Sequence, residues 1–224
     1  MRKPSYIENW QDNNNKIIVH VCCDEDIHSD SQPYIDAGYD VRLVGESIGV
    51  ENYHPPENTY GIIANPPCTE FSFAKSNSKY PRDVKKGMQC VYHCLRVIWE
   101  AQYILPTPLA KRTTLQFWML ENPYGLLRRF LGHPALIYNP YEYGDLYQKK
   151  TCVWGFFNMP KKNPCKEYSK DYIHTISPIG KPLKKFDKLL TEEIAPNFYG
   201  AFDRRRRRSI CSPKFAKAFF EANK

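Results

Sequence analysis

A short apolar run that stops at two prolines is the feature that most restricts how this chain can fold. Ile62-Ile63-Ala64 is typical of a buried strand, and Asn65-Pro66-Pro67 follows it directly. Proline has no backbone N–H for a sheet and a fixed φ, so we expect the strand to end in a stiff turn. The next residue is Cys68. A thiol held on such a turn is well placed as a nucleophile, whereas a buried structural cysteine is the alternative interpretation.

Two later segments also place polar side chains at strand ends. The apolar run Leu115–Met119 leads into Leu120-Glu121-Asn122-Pro123, and Gln148-Lys149-Lys150 leads into the apolar and aromatic run Thr151–Gly155. Pro-Pro-Cys, Glu-Asn and Gln-x-Lys, in this order, resemble the DNA cytosine-5 methyltransferase family. The resemblance covers the chain from about residue 16 to its C-terminus. That family prefers Gln-x-Arg-x-Arg at the third segment, and here its second arginine falls on Cys152, to which no role is transferred.

The resemblance implies both a fold and a reaction. The fold is a Rossmann-like S-adenosylmethionine-dependent methyltransferase fold of the α/β class, with a mostly parallel sheet flanked by helices and a very small recognition insert. The reaction moves a methyl group from S-adenosylmethionine to carbon 5 of cytosine in DNA. Cys68 would add to carbon 6 of a cytosine flipped out of duplex DNA, and Glu121 would hydrogen-bond or protonate nitrogen 3. Asn122 would steady the strand end, and Lys150 would contact the base carbonyl or support the cysteine.

The first part of the chain indicates a nucleotide-binding sheet. Strand Lys16–Val21, a short helix over 31–39 and strand Asp40–Glu46 form a strand–helix–strand unit that ends in an acid. By resemblance, Glu46 holds the ribose hydroxyls of S-adenosylmethionine, and Asn65 and Pro66 belong to the same cofactor site. A solvated loop glutamate is the alternative for Glu46.

The loop Cys22–Asp30 departs from the family because it contains no glycine, the residue that lets a backbone approach a cofactor closely. Three interpretations remain open. The loop binds S-adenosylmethionine by another backbone path, with Asp24 or Asp26 near the methionine amine; it binds a modified donor; or cofactor binding is lost and the protein is a DNA-binding relic. Cys90 and Cys94 lie one helical turn apart among apolar residues, and a structural zinc is the alternative there, but the chain has no Cys-x-x-Cys pair and we predict no metal site.

The charge of the chain favours a polyanionic partner, since the formal net charge is +8. Five consecutive arginines near the C-terminus are expected to contact phosphates, with a solvated charge run as the alternative. The predicted DNA-binding residues are Gln148, Lys149, Arg204, Arg205, Arg206, Arg207 and Arg208. Methylation of RNA or of free nucleotides is a further possibility.

Amino methyltransferases that act on adenine N6 or cytosine N4 are the nearest enzymatic rivals. They also carry Asn-Pro-Pro, but need an aromatic residue next to stack the base, and this chain has Cys68 there.

The predicted organisation is one catalytic domain with additions. Its parts are a polar leader (1–15), the catalytic domain (16–157), a reduced target-recognition insert (158–197), and a basic run with a C-terminal helix that returns to the catalytic domain (198–224). The sequence has no apolar run of about 18 or more residues and no apolar signal-peptide core. We therefore expect a protein without membrane contact and with its eight cysteines reduced, as in a cytosolic setting. The expected oligomeric state is a monomer, and the small size and short insert suit the cytoplasm of a bacterial or phage-infected cell.

Overall fold

The structure is a computed structural model that describes residue 13 and residues 15–102, 114–145, 148–164 and 209–224. Within these residues the strands are β1 (Ile17–Val21), β2 (Asp40–Val44), β3 (Thr59–Ala64), β4 (Phe117–Pro123), β5 (Leu136–Tyr138) and β6 (Thr151–Phe156). The α-helices are α1 (Gln32–Asp36), α2 (Val84–Gln102), α3 (Arg128–Leu131) and α4 (Pro213–Ala222). Two short 3₁₀ helices cover Phe73–Asn77 and Pro140–Tyr143.

The strands form one mixed sheet in the order β2-β1-β3-β4-β6-β5. β1 is parallel to both β2 and β3, and β3 is parallel to β4. β6 lies antiparallel between β4 and β5. Since the chain leaves β1 for a neighbour on one side and later returns to its other side as β3, the strand order reverses between β1 and β3. The carboxyl ends at such a reversal are where open α/β sheets bind ligands.

Helices cover both faces of the sheet, so side chains on its central strands are buried in both directions. Val19 of β1 and Ile62 of β3 pack in the hydrophobic core under α2, whereas their neighbours Ile18 and Ile63 pack in the core with α1 and α4. The buried residues that α2 contributes are Gly87, Val91, Cys94, Val97, Ile98 and Ala101. On the opposite face the buried contributions are Tyr34 from α1 and Phe215, Ala216 and Phe219 from α4.

The α/β class is confirmed, and α2 forms over a stretch in which apolar residues recur at helical spacing. Two predicted strand ends were wrong. The strand expected over Asp40–Glu46 ends at Val44, so Glu46 lies beyond it. The strand expected to end at Met119, β4, runs from Phe117 to Pro123 and includes Glu121 and Asn122. The reason is its antiparallel partner, because β6 continues the pairing as far as Pro123, which faces Thr151.

Some predictions concern residues outside the described part of the chain. The stretches concerned are nearly all of the polar leader, the insert from residue 165 onward, and the arginine run at 204–208. Among the described helices, none is long and apolar enough to cross a membrane.

Candidate functional site

The cysteine turn continues directly from β3. The Asn65 N–H still donates to the Val21 carbonyl at 3.1 Å, so the sheet pattern holds as far as the two prolines. The Cys68 carbonyl then accepts from the N–H groups of Phe71 and Ser72, at 3.0 and 2.8 Å. These bonds close a tight turn that begins at Cys68, whose side chain is partly buried.

A buried asparagine ties this turn to β4. Asn122 is 1% exposed, and its Nδ2 donates to the Pro66 carbonyl at 2.9 Å. Its neighbour Glu121 places Oε2 at 3.4 Å from Asn65 Nδ2. The structure therefore brings the Asn65–Cys68 turn and the Glu121-Asn122 pair to the same edge of the sheet, although they are far apart in sequence.

The carboxyl group of Glu121 is a weaker acid than an ordinary glutamate. Burial raises its pKa to about 7, the nearby carboxylate of Asp30 adds to the increase, and the Lys149 ammonium and the Asn65 amide oppose it. A carboxyl group with this pKa is protonated in a large fraction of molecules at neutral pH. Glu121 can therefore donate a proton or a hydrogen bond to a neighbouring acceptor.

A polar network orients Asn65 behind the turn. His20 of β1 is 1% exposed and its Nε2 lies 2.6 Å from Asn65 Oδ1, while its Nδ1 lies 2.9 Å from Ser31 Oγ. Burial lowers the pKa of His20 and so favours the neutral ring. Because Asn65 Oδ1 can only accept, the Nε2–H donates to it, and the Nδ2 group faces the carboxyl groups of Asp30 and Glu121, each at 3.4 Å.

Sequence reasoning missed His20 and Asp30. A signal existed for His20, because it is the one polar residue in an otherwise aliphatic strand, Ile17–Val21. Nothing in the sequence distinguishes Asp30 from the other acids of its loop.

The two lysines before β6 lie in different places. Lys149 donates to the Ile210 carbonyl at 3.0 Å, and its charge acts on Glu121. Lys150 is exposed, and its ammonium lies 4.1 Å from the centre of the Tyr124 ring. The structure therefore places Lys149, rather than Lys150, in the electrostatic environment of Glu121. Gln148 is partly buried.

In the predicted cofactor loop, a side chain of the loop accepts a hydrogen bond from the loop's own backbone. Asp24 Oδ1 accepts from the Asp26 N–H at 3.1 Å, and Asp26 is exposed. Cys22 has φ +57°, so the left-handed conformation that usually calls for glycine is adopted by a cysteine.

Two residues after β2, Glu46 is exposed. A different acid covers the backbone beside it. The Glu25 carboxylate accepts a hydrogen bond from the Ser47 hydroxyl, and its Cγ lies 2.6 Å from where a Cβ on Gly45 would be. The exposed Glu25 side chain therefore covers the backbone at Gly45, just after β2.

No protein-family model and no curated protein sequence matches the chain.

Replacing Asn122 tests the link between β4 and the cysteine turn. Asn122→Ala removes a buried hydrogen bond and leaves the Pro66 carbonyl without this donor, so we expect it to lower the free energy of unfolding by about 1–3 kcal/mol. Urea denaturation measures the change. The exposed Asn58 provides a matched control, and Asn58→Ala should change stability by less than about 0.5 kcal/mol. Equal stability of the two variants would contradict the role given to Asn122.

Proposed function

We propose that this protein transfers a methyl group from S-adenosylmethionine to carbon 5 of cytosine in DNA, through a covalent bond between Cys68 and the base. One observation carries the proposal: the Pro66 carbonyl on the Pro-Pro-Cys turn accepts a hydrogen bond from the strand that holds Glu121. A nucleophile and a carboxyl acid with a pKa of about 7 are thereby fixed on neighbouring segments. A Rossmann-like methyltransferase fold is part of the proposal, and the strand reversal between β1 and β3 supports it.

The chemistry explains why both groups are needed. Carbon 5 of cytosine is too weak a nucleophile to attack a sulfonium methyl group by itself. When the Cys68 thiolate bonds to carbon 6 and Glu121 gives a proton to nitrogen 3, the ring becomes an enamine whose carbon 5 carries the electron density. Carbon 5 then takes the methyl group, and S-adenosylhomocysteine leaves with the electron pair of the broken carbon–sulfur bond.

Product release reverses the addition. A base removes the proton from carbon 5, the bond between carbon 6 and Cys68 breaks, and the thiolate leaves as the aromatic ring returns. Nitrogen 3 gives its proton back to Glu121. The pKa of Glu121 near 7 suits both directions of this transfer, because the group exchanges its proton readily at neutral pH.

The position of Glu25 favours a second candidate, a homologue that uses a modified donor or has lost its cofactor. The Glu25 side chain lies over Gly45 and beside Ser47, next to the residue expected to bind ribose. A nucleoside that reaches Glu46 from this side requires Glu25 to turn away. A flexible exposed side chain can do so, and for this reason we place the unmodified donor first.

Nucleoside mass spectrometry on DNA from a methylation-free host tests the proposal. Cells that express the wild-type protein should contain 5-methylcytosine, and cells that express Cys68→Ala should not. A Cys68-dependent cytosine adduct of another mass would identify a modified donor. N6-methyladenine or N4-methylcytosine would contradict the proposal in favour of amino methylation, and unmodified DNA would favour the form without a cofactor.

A further inference from the structure

Three cysteine thiols from two separate parts of the chain meet beside the sheet. Cys22 follows β1, and Cys90 and Cys94 lie one turn apart on the inner side of α2. The Sγ atom of Cys22 is 3.4 Å from that of Cys90 and 3.5 Å from that of Cys94. All three sulfur atoms lie within 4.8 Å of one another, and none forms a disulfide.

These distances match a metal site better than a disulfide. Sulfur atoms in a disulfide are about 2.05 Å apart. Thiolates that bind zinc do so at about 2.3 Å in tetrahedral geometry, which separates neighbouring sulfur atoms by about 3.8 Å. The Cys22–Cys90 and Cys22–Cys94 separations are close to that value. The third separation, between the sulfur atoms of Cys90 and Cys94, is within 4.8 Å, so a small adjustment places the three thiols on one face of a tetrahedron.

Cys22 has a backbone conformation that is unfavourable for a residue with a side chain. Among the described residues, Cys22 is the one non-glycine residue with positive φ, at 57°. For an L-residue this conformation costs about 1–2 kcal/mol, which glycine would avoid. With this conformation the Cys22 thiol meets the two thiols of α2. Binding of a shared ligand by the three thiols would offset the conformational cost.

The surroundings of the cluster favour a soft cation. Cys94 is fully buried, and Cys22 and Cys90 are partly buried. Burial keeps water away from the three sulfur atoms, and thiolates need to be deprotonated to bind a metal, so a cation among them would stabilise the charged form.

We propose that Cys22, Cys90 and Cys94 bind a thiophilic metal ion, Zn²⁺ in a reducing cell, leaving a fourth position open to water or an external ligand. Three thiolates and Zn²⁺ together carry one negative charge, and soft sulfur ligands select zinc over hard cations such as Mg²⁺. The ion fastens the start of the loop after β1 to α2. Neither Cys68 nor Glu121 belongs to the set, so the inference does not depend on the proposed methyl transfer.

Cobalt titration of the full chain tests this site. Metal-stripped, reduced protein should bind one Co²⁺ per chain, with thiolate-to-cobalt charge-transfer absorption and the visible bands of a tetrahedral site, and Zn²⁺ should displace it. Loss of groups that merely support metal ligands costs about 10–100-fold in affinity, so loss of the ligand Cys22 should weaken Zn²⁺ binding by more than about 100-fold.

Cys22→Gly is the informative variant, because glycine fits φ +57° and the fold should be retained. Zn²⁺ should raise the melting temperature of the wild-type protein but not that of Cys22→Gly. Cys68→Ala is the matched control and should bind Co²⁺ as the wild type does. Absence of charge-transfer absorption at one equivalent of Co²⁺, or unchanged binding by a folded Cys22→Gly, would overturn the proposal and identify the three thiols as core packing. Neither result bears on cytosine methylation.

Discussion

A Cys68→Ala variant is expected to form no 5-methylcytosine while it binds duplex DNA as tightly as the wild-type protein. Without a thiolate at carbon 6, carbon 5 of cytosine remains too weak a nucleophile for the sulfonium methyl group. Cys68→Ser should also be inactive, since a hydroxyl group is ionised far less than a thiol at neutral pH. Methyl incorporation from labelled S-adenosylmethionine measures the activity, and a DNA mobility-shift assay measures binding.

Thr69 provides the control for Cys68. It is the next residue and is exposed, so Thr69→Ala changes the same turn without touching the thiol. This variant should keep most of the activity. Formation of 5-methylcytosine by Cys68→Ala would contradict the covalent mechanism.

The second large effect is expected at Glu121. Glu121→Gln keeps the size of the side chain but cannot give a proton to nitrogen 3, so we expect methyl transfer to slow by about 10²–10⁴-fold. In the wild-type protein the rate should fall as the pH rises above about 7, because burial sets the pKa of Glu121 there and the ionised form has no proton to give. This fall should be absent from the residual activity of Glu121→Gln.

The same pKa predicts a stability effect that can be measured without substrate. The pKa of Glu121 rises from an ordinary value of 4.5 to about 7 in the folded protein. Between these values the folded protein holds a proton that the unfolded chain has lost, so its stability falls as the pH rises. The full difference corresponds to about 3 kcal/mol. Urea denaturation from pH 5 to pH 8 should show a smaller loss of stability for Glu121→Gln than for the wild type.

Glu57 is the matched control for both measurements, because it is exposed and precedes the amino end of β3, at the opposite edge of the sheet from Glu121. Glu57→Gln should leave the pH profile of the rate and the pH dependence of stability unchanged. If Glu121→Gln behaves in the same way, Glu121 is not the acid.

The sequence predicts the local features of this fold well. The helix over 84–102 has apolar side chains at helical spacing, and the strand before Asn65-Pro66-Pro67 must end where proline removes the N–H donor. Both signals lie within a few neighbouring residues, so they can be recognised without knowledge of the tertiary structure.

The interactions that the sequence does not predict are those that join distant segments. Glu121 lies inside β4 because β6 pairs alongside it, and a strand boundary set by a partner strand cannot be located from one segment. The contact of Cys22 with the Cys90–Cys94 pair depends on how α2 packs and on one left-handed residue. The hydrogen bonds from His20 through Asn65 to Glu121 likewise join β1, the turn after β3, and β4.

Duplex DNA that contains 5-fluorocytosine tests the covalent mechanism most directly. Once carbon 5 has received the methyl group, fluorine cannot leave as a cation, so the bond between the cysteine and carbon 6 cannot be released. We predict a denaturant-stable protein–DNA adduct that requires S-adenosylmethionine, with the modified base attached to Cys68 by peptide mass spectrometry. An adduct on another residue, or no adduct from protein that methylates ordinary cytosine, would contradict the role of Cys68.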